Sequence, residues 1–162
     1  LGEVLSPVSK SAFRLDPHDV SERPPAPIGA RKPREPRFDV FHNDRLTVLA
    51  QPGGPRHSPV VSWRIDAGAR RIGIANVSVA EETLAVLAGS ETLILLANGT
   101  NDAGYGMRAG QLAHRLQAAR LVLLAPRGKS DELVQAAKRQ FLGPVSTLGE
   151  LDCLKLDARP AP

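Results

Sequence analysis

Two short aliphatic runs, Thr92-Leu-Ile-Leu-Leu-Ala97 and Leu121-Val-Leu-Leu-Ala125, flank a segment of helical period. Runs of this length and apolarity predict strands buried on both faces. Between them, a helix is predicted over 105–118, with Ala109, Leu112, Ala113 and Leu116 at the i, i+3, i+4, i+7 spacing. This alternation constrains the chain to an α/β layer, and the flanking segments complete it.

Upstream, Leu46-Thr-Val-Leu-Ala50 reads as a short strand followed by the turn-forming Gln51-Pro-Gly-Gly-Pro55. Val60-Val-Ser-Trp-Arg-Ile-Asp66 alternates, with Val61, Trp63 and Ile65 on one face. A hairpin connection at 67–70 leads into a returning strand over 71–75. Ser78 and Glu81 have the spacing of a capping box for a helix over 79–88, stopped by Gly89. Ser130 is expected to cap a helix reaching Phe141, with Leu133, Ala137 and Phe141 inward. Two short strands, near Val145 and Leu154, are expected to finish the chain. The expected order is three strands, then three helix–strand repeats, then one more strand.

Residues 1–37 contrast with this. Seven of the chain's 14 prolines fall there, and Arg31-Lys-Pro-Arg-Glu-Pro-Arg37 is charged and proline-spaced. An extended arm is expected, laid across another surface or folded back on its own domain. The expected division is an arm at 1–37, an α/β domain at 38–157 and a tail at 158–162.

Net charge is +4, with eight basic and seven acidic side chains in residues 1–45 and thirteen and ten in the remainder. Neither part is a strongly basic tail, so nucleic acid is a weakly supported partner. Aromatics at 4% argue against a base-stacking platform. No apolar run approaches the ~20 residues that span a bilayer. The single cysteine, Cys153, excludes an internal disulfide framework and a multi-cysteine zinc site. The chain begins at Leu1, which reads as a processed product or a fragment; with no signal-peptide pattern, an intracellular site is expected over a secreted one.

From Leu46 to Leu156 the order of segments resembles the carboxy-terminal half of the metallo-β-lactamase-fold hydrolases, in particular the tRNase Z and phosphodiesterase branch. Its carriers are His57, Ser62-Trp-Arg-Ile65, the hairpin strand ending Ile74-Ala-Asn76, Leu93-Ile-Leu-Leu-Ala-Asn-Gly-Thr100, Ala109-Gly-Gln-Leu-Ala113 and Leu121-Val-Leu-Leu-Ala125. The resemblance implies half of an αββα sandwich: a mixed sheet with helices on one face. It also implies that ligands have been exchanged. Asn76 stands where the family has a metal-bridging aspartate, and Ala125 where it has a histidine ligand. Asparagine is a far poorer ligand for paired divalent cations than a carboxylate, and alanine is none. The family's histidine-rich motif has no counterpart in the chain.

On this reading the chain has no catalytic residues, no resident metal and no cofactor. A residual site would comprise His57, Asn76, Asn98 and Asp102. Gly104 and Gly106 would allow an anion to approach the start of the following helix. Arg70-Arg71 reads as a solvated hairpin or a phosphate contact. Arg31, Lys32, Arg34 and Arg37 are the expected partner-binding residues of the arm. The function that follows is a pseudoenzyme, a structural or interaction subunit of a larger assembly. Other protein subunits, a second copy of the chain among them, would cover the exposed sheet face and the arm. Two alternatives remain open: one part of a split metal-dependent hydrolase, or a small anion- or nucleotide-binding α/β module.

Overall fold

A computed structural model describes residues 38–53, 60–79, 83–96, 103–124, 130–149, 152 and 154. Four strands come first: β1 (Phe38–His42), β2 (Leu46–Gly53), β3 (Val60–Ala67) and β4 (Arg70–Asn76). Helices and strands then alternate as α1 (Leu84–Leu87), β5 (Thr92–Leu96), α2 (Ala103–Arg115), β6 (Arg120–Leu124), α3 (Ser130–Lys138) and β7 (Val145–Leu148). The fold is α/β, with one mixed seven-stranded sheet whose spatial order is its chain order. Strands β1 to β4 pair antiparallel, and β4 to β7 pair parallel.

β1 is an element that the sequence reading lacks. Asn43 makes the turn into β2: its Oδ1 accepts the amides of Arg45 and Leu46 at 2.9 and 2.8 Å, and its own amide donates to Leu46 O. The β3–β4 hairpin closes as expected, with Ala67 opposite Arg70 and Gly68 at φ 59 in the first loop position, where a left-handed backbone favours glycine.

The helix expected over 79–88 is much shorter. Ser78 does not cap it: its amide donates to Asn76 Oδ1 at 2.9 Å, which closes a turn at the strand end. The helix starts after Thr83 and stops before Gly89, whose φ of 69 suits a left-handed C-terminal stop. Glu81 lies outside the described residues. Likewise α2 and α3 end at Arg115 and Lys138, short of the expected 118 and 141, although Leu116 and Phe141 are buried as expected. No strand forms at Leu154. Instead Asp152 folds back, its carboxylate accepting the Gly149 amide at 2.7 Å.

α2 ends in a double hydrogen-bond closure, Ala118 N to Ala113 O and Gln117 N to His114 O. Gln117 holds φ 55 at the position where glycine is usual. The two glycines Gly106 and Gly110 let α2 approach α3. A Cβ on Gly106 would lie 2.6 Å from Leu133 O, and one on Gly110 would strike Ala137 O. Gly106 therefore serves helix packing.

The core is made by one side of the sheet. Leu49, Ala75, Leu93, Leu95, Leu121 and Leu123 cluster with Val86 and Leu87 of α1, Tyr105, Ala109 and Ala113 of α2, and Leu133 and Ala137 of α3. Tyr105 is 1% exposed, donates to Leu95 O at 3.2 Å, and has its phenol pushed above the ordinary value by burial. All three helices thus lie on one face.

Candidate interaction face

Strand alternation sends every second residue to the face opposite the helices. Register fixes the membership. Val48 is opposite Ile65, Ala50 opposite Trp63, Trp63 opposite Ile74, and Ile65 opposite Ile72. Across the parallel half, Ile74 neighbours Ile94, Ile94 neighbours Val122, and Leu96 neighbours Leu124, which neighbours Leu148. No described helix or strand packs on these residues. Leu96 is 39% exposed and Phe41, opposite Val48, is 40% exposed; Trp63, Ile65, Ile72, Ile74 and Ile94 are half-buried, and Val122 is buried. This corrects the expectation for the Thr92 run: Leu93 and Leu95 are buried against the helices, while Ile94 and Leu96 are only partly covered.

The polarity of β3 is inverted with respect to the helices. Its apolar residues Val61, Trp63 and Ile65 face away from them, while Ser62, Arg64 and Asp66 are on the helix side. Ser62 is nonetheless 1% exposed, and its partner Gln51 6%. A two-layer sheet with one wet face would put the apolar set against the helices. Here the face that no described helix covers is the more apolar one, and Ala50 and Val122 on it are nonetheless buried.

Charge gathers at the hairpin end. Arg64 and Arg71 both bind the Asp66 carboxylate, at 2.6 Å and 3.0 Å, and the Arg64 hydrogen bonds hold it below the usual carboxylate range against the opposing effect of burial. Arg71 also donates to Ala88 O at 3.3 Å, and Arg70 binds Glu91 at 2.9 Å. The backbone of Glu91 ties three strands, donating to Arg71 O and accepting from Ala119 and Arg120. Neither arginine of the pair is a free hairpin cation. A cleft of about 400 Å³ lies here, lined by Asp66, Arg70, Arg71, Ser90, Glu91 and Gln117. It sits at the amino ends of the parallel strands, away from the carboxyl ends where α/β sheets bind ligands.

Of the candidate residual site, Asn76 is placed at the carboxyl end of β4, beside Leu96. It is 9% exposed, and its side-chain oxygen is engaged by the Ser78 amide. His57, Asn98, Asp102 and Ala125 lie outside the described residues, as do Arg31, Lys32, Arg34, Arg37 and Cys153. Among the described residues no group of three or more His, Cys, Asp or Glu side chains could hold a metal ion. No described helix is long and apolar enough to cross a membrane. The sequence reading missed the inversion in β3. Alternation there showed which residues share a face, but not which face the helices would take. No family model matches the chain, and no curated protein matches it.

Proposed function

We propose that this chain is a non-catalytic structural or interaction subunit, built on half of a metallo-β-lactamase-like sandwich whose ligand positions carry Asn76 and Ala125. The observation that carries the reading is the inverted polarity of β3, with Val61, Trp63 and Ile65 on the face that no described element covers. On that face Phe41 and Leu96 are 40% and 39% exposed and Trp63, Ile65, Ile72, Ile74 and Ile94 are partly exposed, and apolar side chains left partly in water together mark an interaction site. The engagement of Asn76 in a turn supports the same reading, since a side chain committed to its own backbone is poorly disposed to bind a metal.

Metal analysis of the purified chain in its native complex tests the absence of catalysis. The expected result is no stoichiometric zinc, manganese or iron. Stoichiometric metal that is lost on His57→Ala would overturn the reading in favour of a split hydrolase.

A further inference from the structure

We infer that the α3–β7 turn is the tip of a second surface, one that docks on an anionic lipid layer. Leu142 enters the layer, and basic side chains from the ends of α2 and α3 and the start of β6 meet its headgroups. This surface is separate from the sheet face described above. Leu142 is 100% exposed, whereas Phe41, Leu96 and Met107, the other exposed large apolar side chains among the described residues, are 40%, 39% and 38% exposed. Its neighbours hold it in water. Phe141 is buried, and its amide donates to Ala137 O at 3.0 Å. Gly143 has little room for a side chain, since a Cβ there would lie 2.9 Å from Ala119 O. Pro144 O accepts the Leu121 amide at 2.9 Å. With both flanks tied down, the turn keeps Leu142 outward.

Charge at this end of the molecule is of one sign. Residues 103–120 and 133–149 contain no aspartate or glutamate. Arg115 ends α2, Arg120 opens β6, and Lys138 and Arg139 close α3, all where the parallel strands β6 and β7 begin. Glu91, whose carbonyl receives the Ala119 and Arg120 amides, has its carboxylate on Arg70, so that pair adds no net charge. Cations at helix carboxyl ends offset the helix dipole. That accounts for Arg115 and Lys138, but not for Arg120 at a strand start or for a leucine held in water. Area chooses the partner. Burying Leu142 removes on the order of 100 Å² from water, far below the ~800 Å² per partner of a stable protein interface. A lipid layer sets no such threshold, because it deforms around a protruding side chain. Each basic residue near an anionic leaflet strengthens attachment about fivefold, and an apolar side chain at the headgroup boundary adds to it.

Co-sedimentation of the full 162-residue chain with vesicles tests the proposal, comparing phosphatidylcholine alone with phosphatidylcholine containing phosphatidylserine. The expected result is binding to the anionic vesicles that weakens as salt is raised, and little binding to the neutral ones. Leu142→Asn should weaken that binding at least about tenfold and leave the denaturation midpoint unchanged, since the side chain packs on nothing. Lys138→Ala combined with Arg139→Ala should weaken it about twenty-five-fold. No binding to anionic vesicles at low salt would overturn the proposal. So would vesicle binding that Leu142→Asn leaves intact, because the tip would then play no part. A third outcome would assign the basic end to nucleic acid and end the lipid reading: tighter binding to an oligonucleotide than to the vesicles, weakened by the Lys138 and Arg139 changes but not by Leu142→Asn.

Discussion

In the antiparallel half of the sheet, β3 turns Ser62, Arg64 and Asp66 toward the helices and Val61, Trp63 and Ile65 away from them. In the parallel half, β5 and β6 turn Leu93, Leu95, Leu121 and Leu123 toward the helices and still present Ile94, Leu96, Val122 and Leu124 on the far side. The parallel half is therefore held by aliphatic packing under α2 and α3. The antiparallel half satisfies its helix side with hydrogen bonds and ion pairs around Asp66 and reserves its apolar surface for the other side. Burial of that surface, where it occurs, must come from beyond the described elements.

The comparison predicts unequal costs of truncation. Leu121→Ala, at a fully buried position on the helix side of the parallel half, should destabilise by about 2–5 kcal/mol in chemical denaturation. Ile65→Ala, on the half-buried face, should cost about 1–2 kcal/mol in a dilute monomer, because less of the removed surface was withdrawn from water. Equal costs in the dilute monomer would erase the distinction between the halves. An Ile65→Ala cost that grows with protein concentration would sharpen it, since association then contributes the missing burial.

The polar side of the antiparallel half is open to titration. Asp66 has a carboxyl held below its ordinary value of 3.8, foremost by Arg64. A depressed folded value contributes stability that is present above 3.8 and is lost as pH falls through the folded value. Asp66→Asn should therefore lower stability by about 1 kcal/mol at neutral pH and flatten the acid limb of the pH–stability curve. An unchanged acid limb would mean that the ion-pair cluster contributes nothing there. The smallest effect should come from Gln117→Gly at the end of α2. Gln117 holds a left-handed φ of 55 while both closing hydrogen bonds are made by backbone. Glycine should raise stability by about 0.5–1 kcal/mol, read as an increase in Tm.

Much of this layout was legible in the sequence. The aliphatic runs at Leu93 and Leu121 and the helix face of Ala109, Leu112, Ala113 and Leu116 are periodic enough to overrule local ambiguity. β1 was not legible because Phe38-Asp-Val-Phe-His42 mixes apolar and polar residues, and a bulge between Asp39 and Phe41 breaks its period. The helix start at Ser78 failed because a capping residue and a turn residue look alike in sequence; the neighbouring Asn76 claimed the Ser78 amide first. Of the candidate site, Asn76 was rightly read as a strand end, but its engagement with Ser78 depends on a side-chain rotamer that no spacing rule gives. The inversion in β3 needed topology, since only the position of α1 to α3 says which side of an alternating strand is inside.

The order of the sheet is the order of the chain, from β1 to β7 without a skipped neighbour. Each strand therefore meets, as its first hydrogen-bonding partner, the strand made just before it. Sequence separations between pairing strands stay short, and short separations lower the loop-closure entropy that slows folding. A ribosome releasing this chain would deliver every new strand to a template already in place, so the sheet can be built by addition at one growing edge.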